Sequence, residues 1–253
     1  MPLFFAECTR TMRSFPAMGR AFALARRAKG PLMLRRLGLA LSLACSLLGG
    51  LQADWDFNTI SRQAQALYGP LGEGKQRIDA WQRLLLDQRQ LGEGEQLDAV
   101  NLFFNHQLRY VEDIDLWHQV DYWATPIEAL WKGAGDCEDY AIAKYFSLRH
   151  LGVPAEKLRI TYVKALRQNR AHMVLTYYAT PAAIPLVLDS LEDPIRPATE
   201  RTDLVPVYAF NGEGLWLAGA AGNKKVGDAK RLSRWQDVLQ KMNAEGFPAP
   251  VEQ

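Results

Sequence analysis

The hydrophobic period of this chain changes near residue 155. Before it, apolar residues recur at intervals of three and four; after it, they alternate every second residue. Helices first and strands later, joined by polar or Pro-bearing turns, predict an α+β fold rather than alternating βα units. The helical part spans about 54–150. It contains helices at 58–68, 75–91 (Ile78, Trp81, Leu84 and Leu85 on one stripe) and 97–110 (Val100, Phe103, Phe104 and Leu108 inward). Residues 111–124 lack a clean period and read as loop. Thr125-Pro126-Ile127-Glu128 carries a capping Thr, Pro at the first helical position and Glu three residues after the cap. A further helix covers 136–150, with Gly152 and Pro154 as its exit. The mainly β part, about 155–220, holds strands at 158–165, 172–178, 184–189, 205–210 and 215–218, with a hairpin signal at Asn211-Gly212-Glu213-Gly214. A helix at 233–245, capped by Ser233 and Gln236, closes the chain. Residues 54–253 therefore read as one domain of two lobes.

Charge is unevenly placed. Of 30 Lys+Arg and 28 Asp+Glu, eight and one fall within the first 53 residues, so the remainder carries a net charge of −5. That sign argues against a nucleic-acid binder, which needs a basic face. The basic excess belongs to an address: from Met33, Arg35 and Arg36 precede an apolar run from Leu37 to Leu51, followed by Leu51-Gln52-Ala53 as a cleavage site. The run is shorter than the ~20 residues a spanning helix needs. Residues 1–53 thus read as an export signal region, with Met33 as the true start, and the mature chain as periplasmic with no membrane span.

Cleavage after Ala53 leaves one of the three cysteines, Cys137, which has no disulfide partner within the chain. Packing is the ordinary role of such a residue. Its place in the first turn of the 136–150 helix, within Gly135-Asp136-Cys137-Glu138-Asp139-Tyr140, favours a nucleophile, because unpaired N–H groups and the helix dipole there stabilise a thiolate. Four histidines could serve as base. His150 is thirteen residues along the same helix, about 20 Å away at 1.5 Å per residue. His106 and His118 precede the cysteine and read as ordinary core or surface residues. His172 opens a strand and is the best base. If 172–178 and 184–189 pair around Thr180-Pro181, Asp189 lies directly opposite His172 and Val174 faces Val187. Asp189 could then fix the imidazole tautomer, although turn chemistry explains an Asp there equally well.

The run Tyr122-Trp123-Ala124-Thr125-Pro126-Ile127-Glu128, followed by Gly133-Ala134-Gly135-Asp136-Cys137-Glu138-Asp139-Tyr140-Ala141, resembles the bacterial transglutaminase-like cysteine proteinases. The resemblance extends through Ala-His-Met and Leu-Asp-Ser over most of 54–200. It implies a papain-like, transglutaminase-like fold, with Cys137 as nucleophile, His172 as base and Asp189 as orienting acid. It also implies endoproteolysis near the N-terminus of a large surface adhesin at a di-alanine site, promoting biofilm dispersal. The implied inhibitor is the periplasmic domain of an inner-membrane cyclic-di-GMP receptor. Calcium is implied as well. On a helical projection, Asp136, Glu138 and Asp139 share an arc opposite Cys137, so three hard oxygen ligands could hold Ca²⁺ behind the nucleophile without touching it. Capping of the helix start is the competing role for these acids, and Asp113 or Asp115 could supply further ligands. The backbone N–H of Cys137 is a candidate oxyanion donor, and Trp123 is either cleft or core. Two other readings remain: an acyl transferase of transglutaminase or amidase type using the same three residues, and a calcium-binding adaptor with a degenerate site.

Overall fold

The computed structural model describes residues 54–217, 224–229 and 232–248. The export signal read at 33–53 lies outside the described residues. Among the described residues, no helix is long and apolar enough to cross a membrane.

Three helices form the outer part of the helical layer. Helix α1 (Phe57–Tyr68) starts at Asp56, whose carboxylate accepts from the backbone of Asn58 and Thr59, and buries Phe57, Ile60 and Ala64. Helix α2 (Glu73–Gln88) buries Ile78, Trp81 and Leu85; α3 (Glu93–Gln107) buries Leu97, Val100 and Phe104. The sets on α2 and α3 follow the helical repeat that marked them in the sequence. A two-residue strand β1 (Arg109–Tyr110) and a single-turn helix α4 (Asp113–Leu116) follow, so the 111–124 segment is not all loop. Helix α5 (Pro126–Lys132) begins as expected: Thr125 Oγ1 accepts from the Glu128 N–H at 3.1 Å, and Glu128 Oε2 accepts from the Thr125 N–H at 2.9 Å. Gly133, at φ +61°, ends it, and Arg77 donates to the carbonyls of Leu130 and Trp131 that the helix end leaves free.

Strand β2 (Ala134–Gly135) pairs in parallel with β1 and feeds directly into α6 (Cys137–His150). Residues Glu138 to Leu148 of α6 are all buried, so this helix runs through the centre of the molecule. Its Ser147 Oγ accepts from Trp81 Nε1 at 2.8 Å, tying α2 to it.

The sheet comprises β3 (Leu158–Ala165), β4 (Arg170–Tyr177), β5 (Leu186–Leu188), β6 (Arg196–Pro197), β7 (Leu204–Asn211), β8 (Gly214–Leu217) and β9 (Lys224–Gly227). They are antiparallel in the order β6-β5-β4-β3-β7-β8-β9. Helix α6 lies against β4 and β3, with Met173, Leu175 and Ile160 in the shared core. Asn211 and Gly214 pair across the two-residue turn that the sequence signalled. Helix α7 (Ser233–Ala244) buries Trp235, Val238 and Met242, and the Trp235 ring stacks on Phe146 of α6 at 5.3 Å. The architecture is α+β, helices first and an antiparallel sheet after them, as the sequence predicted.

Two local expectations are corrected. Helix α7 is not capped by Ser233 and Gln236: Leu232 occupies the N-cap and contributes no side-chain hydrogen bond, so Ser233 is already helical. The β4–β5 register is two residues from that expected. Leu175 pairs with Leu188 and Thr176 with Val187, so Val174 does not face Val187. Pro185 has no N–H for the ladder, and β5 starts only at Leu186. A slip of two, unlike a slip of one, leaves every side chain on its expected face.

Candidate active site

Cys137 is the first residue of α6 and is half-buried, packed against the edge of the core. Two constraints fix this helix start. Asp136 sits at the N-cap in extended conformation. Asp139, fully buried, accepts from the Ala124 N–H at 2.7 Å and from the Asp136 N–H at 3.3 Å. The second bond is the capping role weighed for these acids. Gly135 permits it, because a Cβ there would lie 2.7 Å from Asp139 Oδ2. Gly135→Ala is expected to destabilise the fold by about 1–3 kcal/mol through this overlap, measured by denaturant unfolding; stability equal to the parent would contradict the tight approach.

The thiol does not stand clear of the carboxylates, as the helical projection had it. Cys137 Sγ donates to Glu138 Oε2 at 3.0 Å, and ligand atoms of Asp136, Cys137 and Glu138 lie within 4.8 Å of one another. For Asp136 the projection fails because its torsions are non-helical (φ −107°, ψ −163°); Glu138, the next helical residue, is only 100° from Cys137, and its longer side chain reaches back to the sulfur. Burial, with Glu138 and Asp136 close by, pushes the thiol well above its ordinary value, while the Met173 backbone N–H on β4 acts in the opposite direction.

His172 is buried, and its Nε2 lies 2.7 Å from Asp189 Oδ1. Continuing the observed ladder places Asp189 beside Val174, so the His172–Asp189 contact is diagonal rather than directly cross-strand, within the reach of an imidazole. Burial alone would raise the Asp189 carboxyl. Hydrogen bonds from His172, the Leu191 N–H and Arg201 instead hold it well below the usual carboxylate range. An ionised Asp189 accepts from a proton on Nε2; in the neutral imidazole with that tautomer, Nδ1 is the lone-pair nitrogen. Nδ1 is buried and has no hydrogen-bond partner, the cysteine sulfur included. The structure thus joins His172 to Asp189 directly, on a strand against which α6 packs. The other histidines are occupied elsewhere: His106 pairs with Asp193, His150 stacks on Trp55 at 4.1 Å, and His118 is exposed. Trp123 is core, stacked on Phe210 at 5.5 Å.

Behind the thiol lies a group of acids. Ligand atoms of Asp113, Asp136 and Asp139 form one cluster within 4.8 Å, and those of Asp113, Asp121 and Glu138 another. Asp113 and Asp136 each keep one buried carboxylate oxygen without a partner. Burial, with Glu138 and Asp139 nearby, pushes the Asp136 carboxyl up to about 10; burial pushes Asp113 up to about 6. Hard, unpaired oxygens from converging carboxylates are donors suited to a divalent cation of the calcium type. Asp136, Glu138 and Asp139, all expected from the sequence, belong to these clusters. Asp113, raised there only as a further ligand, is shared by two of them.

Two residues were missed. Arg201 grips Asp189, and Lys144 lies fully buried on α6, donating to Asn101, Asn105 and the Asp189 carbonyl. Burial pushes Lys144 down to about 7. A lysine amid Ala141, Ile142, Ala143, Tyr145 and Phe146 was a readable signal, since a charged side chain seldom sits in so apolar a run without a buried partner. Arg201 had no such signal.

The model of the bacterial transglutaminase-like cysteine proteinases matches residues 77–205, a stretch that includes every site residue above. The chain belongs to this family. It is therefore a cysteine protease. A solved structure of Legionella pneumophila LapG is 43% identical, with a TM-score of 0.63 over 72% of this chain and 97% of that one. An EGTA-treated structure of the same protein gives 43% and 0.64 over 72% and 97%, and a calcium-bound one 42% and 0.63 over 74% and 98%. No match was found among curated proteins.

Proposed function

We propose that this proteinase is a periplasmic, calcium-dependent cysteine endopeptidase with Cys137 as nucleophile, His172 as base and Asp189 as orienting acid. The observation that carries the reading is the buried His172–Asp189 pair, with Nδ1 left unpaired, on the strand against which the helix headed by Cys137 packs. In the reaction, the Cys137 proton passes to His172 Nδ1 and the sulfur attacks the scissile carbonyl carbon. The imidazolium returns the proton to the leaving amine, giving a thioester, which water hydrolyses with His172 again as base. Apo catalytic hydrogen bonds are commonly looser than those of the substrate complex, so the unmade Sγ–Nδ1 bond is compatible with this sequence. The Cys137 N–H, at the helix start, is the proposed oxyanion donor.

Asp136, Glu138 and Asp139, joined by Asp113, would hold the calcium ion, and Asp139 also fixes the backbone of Asp136 and Ala124. When bound, the ion supplies positive charge that offsets the carboxylates disfavouring a thiolate. The calcium-bound Legionella protein and the unpaired oxygens support this.

The proposed substrate is the N-terminal region of a large surface adhesin, cut at a di-alanine site so that the adhesin is released and the biofilm disperses. The proposed inhibitor is the periplasmic domain of an inner-membrane cyclic-di-GMP receptor. Both rest on the family resemblance, and the location on the export pattern at 33–53. The test is incubation of the purified protein with adhesin N-terminal fragments, with and without chelator and with a labelled amine. One calcium-dependent cut, with no amine in the product, is expected. Amine incorporation in place of hydrolysis would contradict the endopeptidase and favour acyl transfer.

A further inference from the structure

Asp189 is held at two separate places. Its carbonyl oxygen accepts from Lys144 Nζ at 3.1 Å and Asn105 Nδ2 at 3.0 Å, which fix the main chain. Its carboxylate is fixed independently: Oδ1 accepts from His172 Nε2 and from the Leu191 N–H at 3.0 Å, and Oδ2 accepts from Arg201 Nη2 at 2.8 Å. Arg201 is only 5% exposed and is itself oriented, since its Nε and Nη2 donate to the two oxygens of Asp203, each at 3.0 Å. The torsion that turns a carboxylate plane is broad and nearly two-fold. Held at Oδ1 alone, Asp189 could rock and let the imidazole turn with it; a rigid planar guanidinium on Oδ2 removes that freedom.

We propose that Arg201 is a positioning residue of the reaction, which locks the plane of the Asp189 carboxylate through Oδ2 and thereby sets the direction of His172 Nδ1. The inference rests on the assignment of His172 as base. Because Lys144 and Asn105 hold the Asp189 main chain, loss of Arg201 frees the carboxylate without displacing the strand end.

The test uses Arg201→Ala, Arg201→Lys and, as a milder release of the guanidinium, Asp203→Asn. The first readout is the low-field proton NMR resonance of His172 Nε2–H, assigned by its loss in His172→Gln. The second is cleavage of the adhesin fragment, expressed per alkylatable thiol. In Arg201→Ala the resonance is expected to shift or broaden, and kcat to fall about 10- to 100-fold with KM within about two-fold. Added guanidinium is expected to restore at least about tenfold. Arg201→Lys keeps the charge but not the fork, and is expected to recover only part of the loss. An unchanged resonance and unchanged kcat in Arg201→Ala would overturn the proposal; if that variant does not fold, the same result in Asp203→Asn would do so. A wild-type protein that shows the resonance but cuts no fragment contradicts the proposed adhesin substrate alone, and the resonance in the variants then decides the role of Arg201.

Discussion

Cys137→Ala is expected to remove proteolysis by at least about 10⁴-fold, the loss seen when the nucleophile of a coupled catalytic set is deleted. The fold should survive. The residue is half-buried, its thiol donates to the neighbouring Glu138, and alanine suits a helical position. The start of α6 is held by Asp139 and the backbone of Asp136 and Ala124, none of which involves the sulfur. The measurement is fragment cleavage alongside a thermal melt. A variant that melts as the parent and still cleaves at the parental rate would remove Cys137 from the chemistry.

Stripping divalent cations should have the next largest effect. A chelator is expected to bring cleavage near background. Saturating calcium should then raise the melting temperature by about 10 °C, as a ligand bound only by the folded state at about 1,000 times its Kd would. The pH dependence of the stripped protein follows from the raised carboxyls. Asp113 and Asp136 titrate near 6 and 10 when folded, above the ~4 of an unfolded Asp, so the folded chain keeps protons that the unfolded chain has lost. Their contribution to stability is complete below about pH 4 and is lost as pH rises through 6 and then towards 10. The chelated protein should therefore melt progressively lower from about pH 4 to 10, whereas calcium, which needs the carboxylates ionised, should protect it increasingly over the same range. Undiminished activity and an unshifted melt in chelator would contradict the cation site.

Local chemistry carried much of the fold. The Thr125–Glu128 capping box, the Asn211–Gly214 hairpin and the apolar stripes of α2 and α3 depend on neighbours within a few residues, and each stands where the sequence placed it. Register did not follow as directly. Counting from an assumed turn at Thr180-Pro181 ignored Pro185, and the pairing moved by two residues. His172 still meets Asp189, because an even slip preserves the face and the imidazole spans the diagonal. Helical projection misplaced Asp136 because it is a cap, outside the helical torsions that the projection assumes, and took no account of the reach of the Glu138 side chain back to Cys137. Arg201 reaches Asp189 from the chain beyond β6, a tertiary contact with no local signature. Asp113 comes from α4, a single turn inside a stretch that had no readable period.

The central claim is that the sulfur of Cys137 carries out the bond cleavage. It is tested most directly by titrating the chain that begins at residue 54 with iodoacetamide and following adduct mass and proteolysis together. A single adduct on Cys137, with activity falling in proportion to its formation, is the expected result. Complete alkylation of Cys137 with proteolysis undiminished would contradict the account.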